Sequence, residues 1–273
     1  MPSTDTIAIN EEYIALQGEG EYIGVLSHFI RLQGCNLSCE WCDSAYTWDG
    51  SEKGEKTAIG DVVKLVNGGP TKHVVFTGGE PMLQWSALKP IIEKLWVLGS
   101  YSIQIETNGT KPVSTRDITC MMGHSMEWRW PAHDAQIVWS ISPKLQFMKD
   151  QAIELSALMS RWHISLQAEV TRFWQRKHGT RLRHYFKFPV RADTENHARE
   201  DILPIVSAMR SSSGGSRRAR VFLMPITSPD DSLEDLTSQL RVLESLVMGE
   251  FATPSLGISP RVHTLMHGHK RGV

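Results

Sequence analysis

Short runs of almost continuous apolar residues recur along the chain and predict its strands. A strand inside a parallel sheet is covered on both faces, so its apolar residues follow one another instead of alternating with polar ones. The clearest runs are Ser27–Leu32, His73–Phe76, Tyr101–Ile105, Gln136–Ile141, His184–Val190 and Val221–Ile226. We expect each of these six runs to form a buried β-strand.

Stretches with helical spacing separate several of these runs. Apolar residues recur there at intervals of three and four positions, which places them on one face of a helix. The predicted helices are Ala58–Asn67, Leu83–Leu98, Thr194–Arg210 and Ser232–Met248. Strands that alternate with helices indicate an α/β fold with a mostly parallel sheet. The length of the chain fits a single domain over residues 1–273.

Two segments do not fit this alternation, residues 110–134 and residues 151–183. They hold four of the nine tryptophans, at positions 128, 130, 162 and 174. We expect insertions that pack over one end of the sheet. A lid or a partner surface is the alternative, because aromatic residues and arginine are enriched at interfaces.

Composition and charge exclude several classes of protein. The formal net charge of −1 argues against a protein that mainly coats nucleic acid, and we expect no direct nucleic-acid partner. No apolar run is long enough for a membrane span, and the N-terminus lacks the basic and apolar regions of a signal peptide. We therefore expect a cytoplasmic protein, in which the four cysteines do not form disulfides.

Three of the cysteines, Cys35, Cys39 and Cys42, form a C-x3-C-x2-C pattern. Three thiolates in one loop can bind an iron–sulfur cluster and leave one iron open to a further ligand. A zinc site is the second interpretation, with His28 or Cys120 as the fourth ligand. Three unrelated core cysteines are the third, since free cysteine is often buried.

The strand at His73–Phe76 runs into Gly78-Gly79-Glu80-Pro81. Paired glycines past the end of a strand let the backbone approach a ligand closely. Together with the cysteine pattern, this motif resembles the radical S-adenosylmethionine superfamily. The resemblance implies a 4Fe–4S cluster that binds S-adenosylmethionine through the open iron and cleaves it to a 5′-deoxyadenosyl radical. It also implies that Glu80 accepts a hydrogen bond from the amino group of S-adenosylmethionine.

Further motifs resemble the 7-carboxy-7-deazaguanine synthase family within that superfamily. They extend over most of the chain and are specific in combination. They are Glu11–Gly20 (EEYIALQGEG), Phe29–Cys35 (FIRLQGC), Glu106–Thr110 (ETNGT), Ser142–Lys144 (SPK), Met224–Thr227 (MPIT) and Ser259–His263 (SPRVH).

This resemblance implies both the fold and the reaction. The family has a partial TIM-like barrel and is typically a homodimer that requires Mg²⁺. It converts 6-carboxy-5,6,7,8-tetrahydropterin to 7-carboxy-7-deazaguanine with loss of ammonia, on the route to queuosine-type 7-deazapurines. We expect a flavodoxin or ferredoxin as the electron donor.

The resemblance also implies the residues of the site. The substrate residues would be Leu16, Gln17, Gly18, Arg31 and Thr77, with the Arg31 guanidinium on the substrate carboxylate. Those for S-adenosylmethionine would be Gly79, Glu80, Glu106, Asn108, Ser142, Pro143, Lys144, Met224, Pro225, Ile226 and Thr227. Ser44 stands where the family usually has a threonine ligand of Mg²⁺, and it keeps the hydroxyl. Structural alternatives are a loop hydrogen bond for Gln17 and a surface ion pair of Arg31 with Glu19 or Glu21.

Two other functions remain open from the sequence. A glycyl-radical-enzyme activase shares the cysteine pattern and GGEP, but its substrate is a protein, and the QGEG opening and Arg31 argue against it. A non-catalytic zinc-loop or partner-binding protein is favoured only by the two tryptophan-rich segments. Arg261 and His263 could close the pocket, the residues after them have no predicted role, and Cys120 is predicted to be a spare thiol.

Overall fold

The computed structural model describes residues 5–99, 101–118, 136–167, 181–212, 219–268 and 270–272. Within them, nine strands form one sheet in the order β3-β1-β2-β4-β5-β6-β7-β8-β9. The strands are β1 Thr6–Leu16, β2 Leu26–Leu32, β3 Glu55–Ala58, β4 His73–Gly78, β5 Ser102–Thr107, β6 Gln136–Ile141, β7 Arg181–Val190, β8 Val221–Pro225 and β9 Leu256–Ile258.

Residues 115–118 are helical, and six further α-helices accompany the strands in the described part of the chain. They are α1 Ile59–Gly68, α2 Trp85–Leu98, α3 Gln151–Gln167, α4 Glu195–Ser211, α5 Leu233–Met248 and α6 Val262–His267. Short 3₁₀ turns lie at Gly20–Tyr22, Ala45–Thr47, Pro81–Gln84 and Leu145–Phe147. The four predicted helices are confirmed as α1, α2, α4 and α5, each within two residues of the predicted start.

Seven neighbouring strands, β2 and β4 to β9, are parallel, whereas β1 pairs antiparallel with both β2 and β3. The sheet has two different end strands, β3 and β9, and is therefore open. This is the expected partial TIM-like barrel. Parallel pairing brings the carboxyl ends of successive strands to one edge, where such barrels carry their sites.

The two faces of the sheet differ in chemistry. On β5, Ile103 and Ile105 belong to the main apolar core under the helices, whereas Gln104 between them is buried on the opposite face. Side chains alternate between the faces of a strand, so each strand supplies both sets. The inner face carries a smaller apolar cluster of Ala15, Phe29 and Val75. Polar side chains share that face, and they lead towards the site.

The six predicted strands are confirmed as β2, β4, β5, β6, β7 and β8. The largest difference is at β7, which begins at Arg181 instead of His184. The sequence patterns did not predict β1, β3 and β9. In β1 the buried residues are interspersed with exposed ones, and β3 and β9 are only four and three residues long.

The second tryptophan-rich segment differs from the expected insertion in its first half. Residues 151–167 form α3, the crossover helix between β6 and β7. Leu155, Leu158 and Trp162 are buried in the core, and the Trp162 indole N–H donates to the Gly109 carbonyl oxygen at 2.9 Å. Cys120 and the tryptophans at 128, 130 and 174 lie outside the described residues, as does most of the first segment.

The helices described here include none with the length and apolar character needed to cross a membrane.

Candidate active site

A cavity of about 280 Å³ lies at the carboxyl edge of the sheet. Its walls come from the ends of β1, β2, β4, β5 and β8, the cysteine loop and the segment after α6. It brings together most of the predicted site residues, namely Leu16, Gln17, Gly18, Arg31, Cys35, Cys39, Cys42, Ser44, Thr77, Gly79, Glu106, Asn108, Ser142, Lys144, Met224, Pro225, Ile226 and Thr227. Glu80 and Pro143 are not among the lining residues.

The three cysteines of the loop are free thiols that face this cavity. Burial raises the pKa of the Cys35 and Cys39 thiols, and neighbouring cysteines raise it further. The protein alone therefore does not favour the thiolates, whereas a bound metal does. Among the described residues, no three Cys, His, Asp or Glu side chains are already spaced as ligands of one ion.

Hydrogen-bond donors around the sulfur atoms suit an iron–sulfur cluster. The backbone N–H of Leu37 donates to Cys35 Sγ at 3.4 Å, and the Trp48 indole N–H donates to Cys42 Sγ at the same distance of 3.4 Å. Donors of this kind tune the cysteine sulfurs that ligate clusters. Three thiols from one loop, with N–H groups directed at two of them, fit the implied cluster.

The Gly78-Gly79-Glu80 turn packs directly on the chain that enters the cysteine loop. The backbone N–H of Gly79 donates to Leu32 O at 3.1 Å, and that of Glu80 donates to Gly34 O at 2.8 Å. Gly78 has φ +123°, a conformation that favours glycine. The glycines therefore hold the end of β4 against the cysteine loop.

The Glu80 carboxylate lies behind the cavity wall. It is fully buried and accepts hydrogen bonds from Met82 N at 2.9 Å, Thr107 Oγ1 at 2.7 Å and Asn108 N at 2.6 Å. Burial raises its pKa, although these donors oppose the shift. Its evident role is to join the ends of β4 and β5, and its contact with S-adenosylmethionine stays a prediction.

Glu106 lies at the centre of a hydrogen-bond network on the inner face. Its carboxylate accepts from Gln17 Nε2 at 3.2 Å, Thr77 Oγ1 at 2.8 Å and Gln104 Nε2 at 3.0 Å. Lys187 Nζ lies 3.9 Å from Glu106 Oε1. Two of these partners, Gln17 and Thr77, are predicted substrate residues, so Glu106 belongs with that group.

Beside this network is a buried ionic cluster that the sequence analysis missed. Glu19 forms ion pairs with Lys187 and with Arg261, the latter at 3.1 Å. Arg261 also pairs with Asp43 and donates to Thr227 Oγ1 at 2.6 Å. Arg261 thus connects the loop after β1, the cysteine loop and the end of β8.

The charges in this cluster depend on one another. Burial alone would raise the pKa of Glu19, but the Lys187 and Arg261 charges lower it well below its usual range. Burial likewise opposes the charge of Lys187, yet Glu19 and Glu106 raise its pKa. A lysine within the apolar run HYFKFPV was the one indication in the sequence, because a buried lysine needs an acidic partner.

Arg31 faces the cavity from the end of β2. Its Nε donates to Glu11 Oε1 at 2.9 Å and its Nη2 donates to the Tyr13 hydroxyl at 2.9 Å. The side chain is 16% exposed and its ion pair is with Glu11. The structural alternative, a surface pair with Glu19 or Glu21, is therefore not what the structure shows. Nη1 is the guanidinium nitrogen engaged by neither Glu11 nor Tyr13.

The remaining predicted residues line the opposite wall. Lys144 Nζ donates to Ser142 Oγ at 2.9 Å and lies 5.2 Å from the centre of the Trp41 ring. Burial lowers the pKa of Lys144, and the neighbouring Cys39 opposes that shift. The hydroxyl of Ser44 donates to Asp43 Oδ1 at 2.8 Å, and both residues face the cavity. Such oxygen donors suit Mg²⁺.

Comparison with known proteins agrees with this geometry. Residues 29–119 match the family model described as the radical SAM superfamily. A 7-carboxy-7-deazaguanine synthase of Hyperthermus butylicus is 30% identical over 260 residues, which cover 95% of this chain and 92% of the relative. One from Pyrobaculum aerophilum is 29% identical and covers 100% of both chains. The crystal structure of QueE from Escherichia coli covers 94% of this chain and 95% of its own, with TM-score 0.58 and 24% identity, and supports the fold.

Proposed function

The chain belongs to the 7-carboxy-7-deazaguanine synthase family of radical S-adenosylmethionine enzymes, and on that premise we propose the reaction of its cavity. In this cavity the enzyme converts 6-carboxy-5,6,7,8-tetrahydropterin to 7-carboxy-7-deazaguanine with loss of ammonia. The observation that carries this proposal is that the three loop thiols share one cavity with Gln17, Arg31 and Thr77. The cluster site, where the radical would be generated, and the polar site for the anionic pterin therefore share one cavity.

Cys35, Cys39 and Cys42 would hold the 4Fe–4S cluster, which when bound supplies the electron for reductive cleavage of S-adenosylmethionine. Residues of the opposite wall would hold S-adenosylmethionine itself. Gly79 presents backbone to the cavity, Ser142 and Lys144 present polar atoms, and Met224–Thr227 presents the end of β8. Met224 offers an apolar surface beside them.

The pterin would lie against the Gln17, Thr77 and Glu106 network. A pterin ring carries N–H donors on the edge that bears its amino group, and the Glu106 carboxylate is an acceptor that matches them. Two of the three donors to Glu106 are predicted substrate residues. We therefore assign Glu106 to the pterin and not to S-adenosylmethionine.

The substrate carboxylate would meet Arg31. Its guanidinium is fixed by Glu11 and Tyr13 on two of its nitrogens, which leaves Nη1 available. An arginine in a mostly buried position binds a carboxylate strongly because both charges are poorly hydrated there. Mg²⁺ at Ser44, with Asp43 beside it, would be a second positive charge in the same cavity.

Partners and location follow from the family and from the surface. A second copy of the chain would pack on the apolar surface where β1 meets β2, since Leu16 and Leu26 pair there and are 46% and 44% exposed. A flavodoxin or ferredoxin would supply the electron. The free cysteines of the loop favour the reducing cytoplasm.

Anaerobic reconstitution tests the proposed reaction. The enzyme is loaded with iron and sulfide, then given S-adenosylmethionine, Mg²⁺, a chemical reductant and the carboxypterin, and products are identified by mass. We expect 7-carboxy-7-deazaguanine, and we expect Cys39→Ala to form none because two thiolates do not hold the cluster. 5′-Deoxyadenosine without the deazaguanine would contradict the family reaction and favour an activase.

A further inference from the structure

Residue 268 and residues 270–272, which follow α6, form part of the cavity wall, although no sequence motif gave them a role. Gly268, Lys270, Arg271 and Gly272 all line the cavity. The segment is fixed by Arg271. Its Nη1 donates to Glu52 Oε1 at 2.6 Å, and its Nη2 donates to Glu52 Oε2 and Asn10 Oδ1, each at 3.0 Å.

Two further contacts of Arg271 reach the cavity wall. Its guanidinium carbon lies 3.8 Å from the centre of the Tyr46 ring, within the range of a cation–π contact. Its Nε donates to Glu11 Oε2. Arg271 therefore touches the β1 strand, the loop before β3 and the cysteine loop at once.

Glu11 connects Arg271 to Arg31. Its Oε2 accepts from Arg271, and its Oε1 accepts from Arg31 Nε at 2.9 Å. The Glu11 side chain is only 16% exposed, so few water molecules compete for its oxygens. One carboxylate is thus divided between two guanidinium groups, one facing the cavity and one in the segment after α6.

We propose that Arg271 is a positioning residue that, through Glu11, holds Arg31 ready for the substrate carboxylate. The inference rests on the proposed function, because it assumes that Arg31 meets that carboxylate. Without Arg271, Oε2 of Glu11 loses its partner, so the carboxylate can use both oxygens to chelate Arg31 in the bidentate geometry that arginine and carboxylate prefer. Arg31 is then neutralised by the wall and turned away from the ligand.

The inference predicts selective loss of recognition for one chemical group. Arg271→Gln should weaken binding of the carboxypterin and leave binding of a pterin without the carboxylate unchanged. The folded state should tolerate this change, because Arg271 is 42% exposed and its ion pairs are partly screened by water. If Arg271 acted only in folding, the substitution would weaken binding of both pterins equally.

The test measures dissociation constants by calorimetry on the cluster-loaded enzyme with S-adenosylmethionine and no reductant. The two probes are 6-carboxy-5,6,7,8-tetrahydropterin and tetrahydropterin. Loss of one well-placed charge-assisted contact is expected to raise the constant for the carboxypterin about tenfold. The constant for tetrahydropterin should stay within about twofold, a difference too small to represent a lost contact.

Matched variants make the result specific. Arg199→Gln removes the same charge from an exposed pair with Glu250 far from the cavity and should change neither constant. Glu52→Gln weakens the anchor of Arg271 without touching Arg31 and should give a smaller shift in the same direction. In an Arg31→Gln background, Arg271→Gln should have no further effect on the carboxypterin.

The outcomes separate this inference from the proposed function. If the wild-type enzyme forms the deazaguanine but Arg271→Gln and Glu52→Gln leave the ratio of the two constants unchanged, the positioning role is refuted and the function stands. If the wild-type enzyme does not distinguish the two pterins, the premise about Arg31 is refuted as well. Equal weakening of both ligands by Arg271→Gln also overturns the inference.

Discussion

The carbonyl oxygen of Gly34 occupies the space that a side chain on Gly79 would need. A Cβ built on Gly79 would lie 2.0 Å from Gly34 O and 3.0 Å from the backbone nitrogen of Cys35. The glycine of the GGEP turn and the first residues of the cysteine loop are therefore in backbone contact. Neither segment can move without the other.

Gly79→Ala should prevent cluster loading. The new methyl group meets backbone, which cannot rotate away as a side chain would, so the cysteine loop must shift. Iron and sulfide content after anaerobic reconstitution measures the effect. Gly60→Ala is the matched control, because nothing lies within 4 Å of a Cβ on Gly60, and alanine favours its helix α1 by roughly 0.5–1 kcal/mol. Normal iron content in Gly79→Ala would contradict the prediction, because it would show that the backbone at Gly34 can move to accommodate the methyl group.

Glu19→Gln should destabilise the protein by roughly 3–5 kcal/mol, the usual range for removing one partner of a buried ion pair. Lys187 and Arg261 would both lose their shared carboxylate, and both side chains are at most 10% exposed. Urea denaturation measures the free energy of unfolding. Glu250→Gln removes a carboxylate from the exposed pair with Arg199 and should give no measurable change. Equal unfolding midpoints for the two variants would argue against a structural role of Glu19.

Glu106→Gln should weaken binding of the pterin and leave binding of S-adenosylmethionine unchanged. Gln17 and Thr77 would then share a neutral amide in place of a carboxylate, and the pterin would lose a charged acceptor. We expect a 10- to 100-fold higher dissociation constant for the carboxypterin, roughly the worth of a charge-assisted hydrogen bond. Calorimetry with each ligand separately gives the answer. A larger loss of affinity for S-adenosylmethionine than for the carboxypterin would place Glu106 at the S-adenosylmethionine site instead.

Stability should fall between about pH 6.5 and pH 4 because two histidines are held in the neutral form, His73 as a buried residue and His184 as a partly buried one whose Nε2 is enclosed. Burial lowers the pKa of His73 to about 4, and that of His184 to about 4. In this window the unfolded chain binds protons that the folded protein does not, so lower pH favours unfolding. The loss is roughly 3 kcal/mol for each histidine over the whole window. Denaturant titrations at pH 7, 5.5 and 4.5 measure it, and a flat free energy would contradict the burial argument.

Six of the seven parallel strands could be predicted from the sequence because they are buried on both faces. Each of those strands is a continuous apolar run, and its length was predicted to within a few residues. Strand β1 was not predicted because its buried residues are separated by Glu11, Glu12 and Tyr13, which face solvent or the cavity wall. Three- and four-residue edge strands such as β9 and β3 carry too few side chains for a period to emerge.

Helix α3 was missed for a different reason. Its tryptophan, histidine and arginine content resembles a surface segment, and only the structure shows that the Trp162 N–H is satisfied by the Gly109 carbonyl oxygen. A polar group that finds a partner can be buried at little cost. The sequence does not reveal that partner, which lies 53 positions away.

The candidate site followed from sequence motifs because the motifs other than Glu11–Gly20 stand at or just after the carboxyl end of a parallel strand. Thr77 is the second-last residue of β4, and Ser142 directly follows β6. What the motifs could not decide is which side chain of a turn enters the cavity, as Glu80 shows. Contacts between distant segments were equally hidden, and the Glu19 ion pairs with Lys187 and Arg261 are the main example.

The link between Glu11 and Arg271 joins positions 260 apart in the chain. During synthesis the early residues leave the ribosome first, and a domain gains most of its stability only when its distant contacts can form. The part of the cavity wall that holds Arg271 is therefore completed last, after the strands β1 to β9 have emerged. Until residue 271 is available, Glu11 lacks one of its two guanidinium partners, and the substrate-facing Arg31 has that carboxylate to itself.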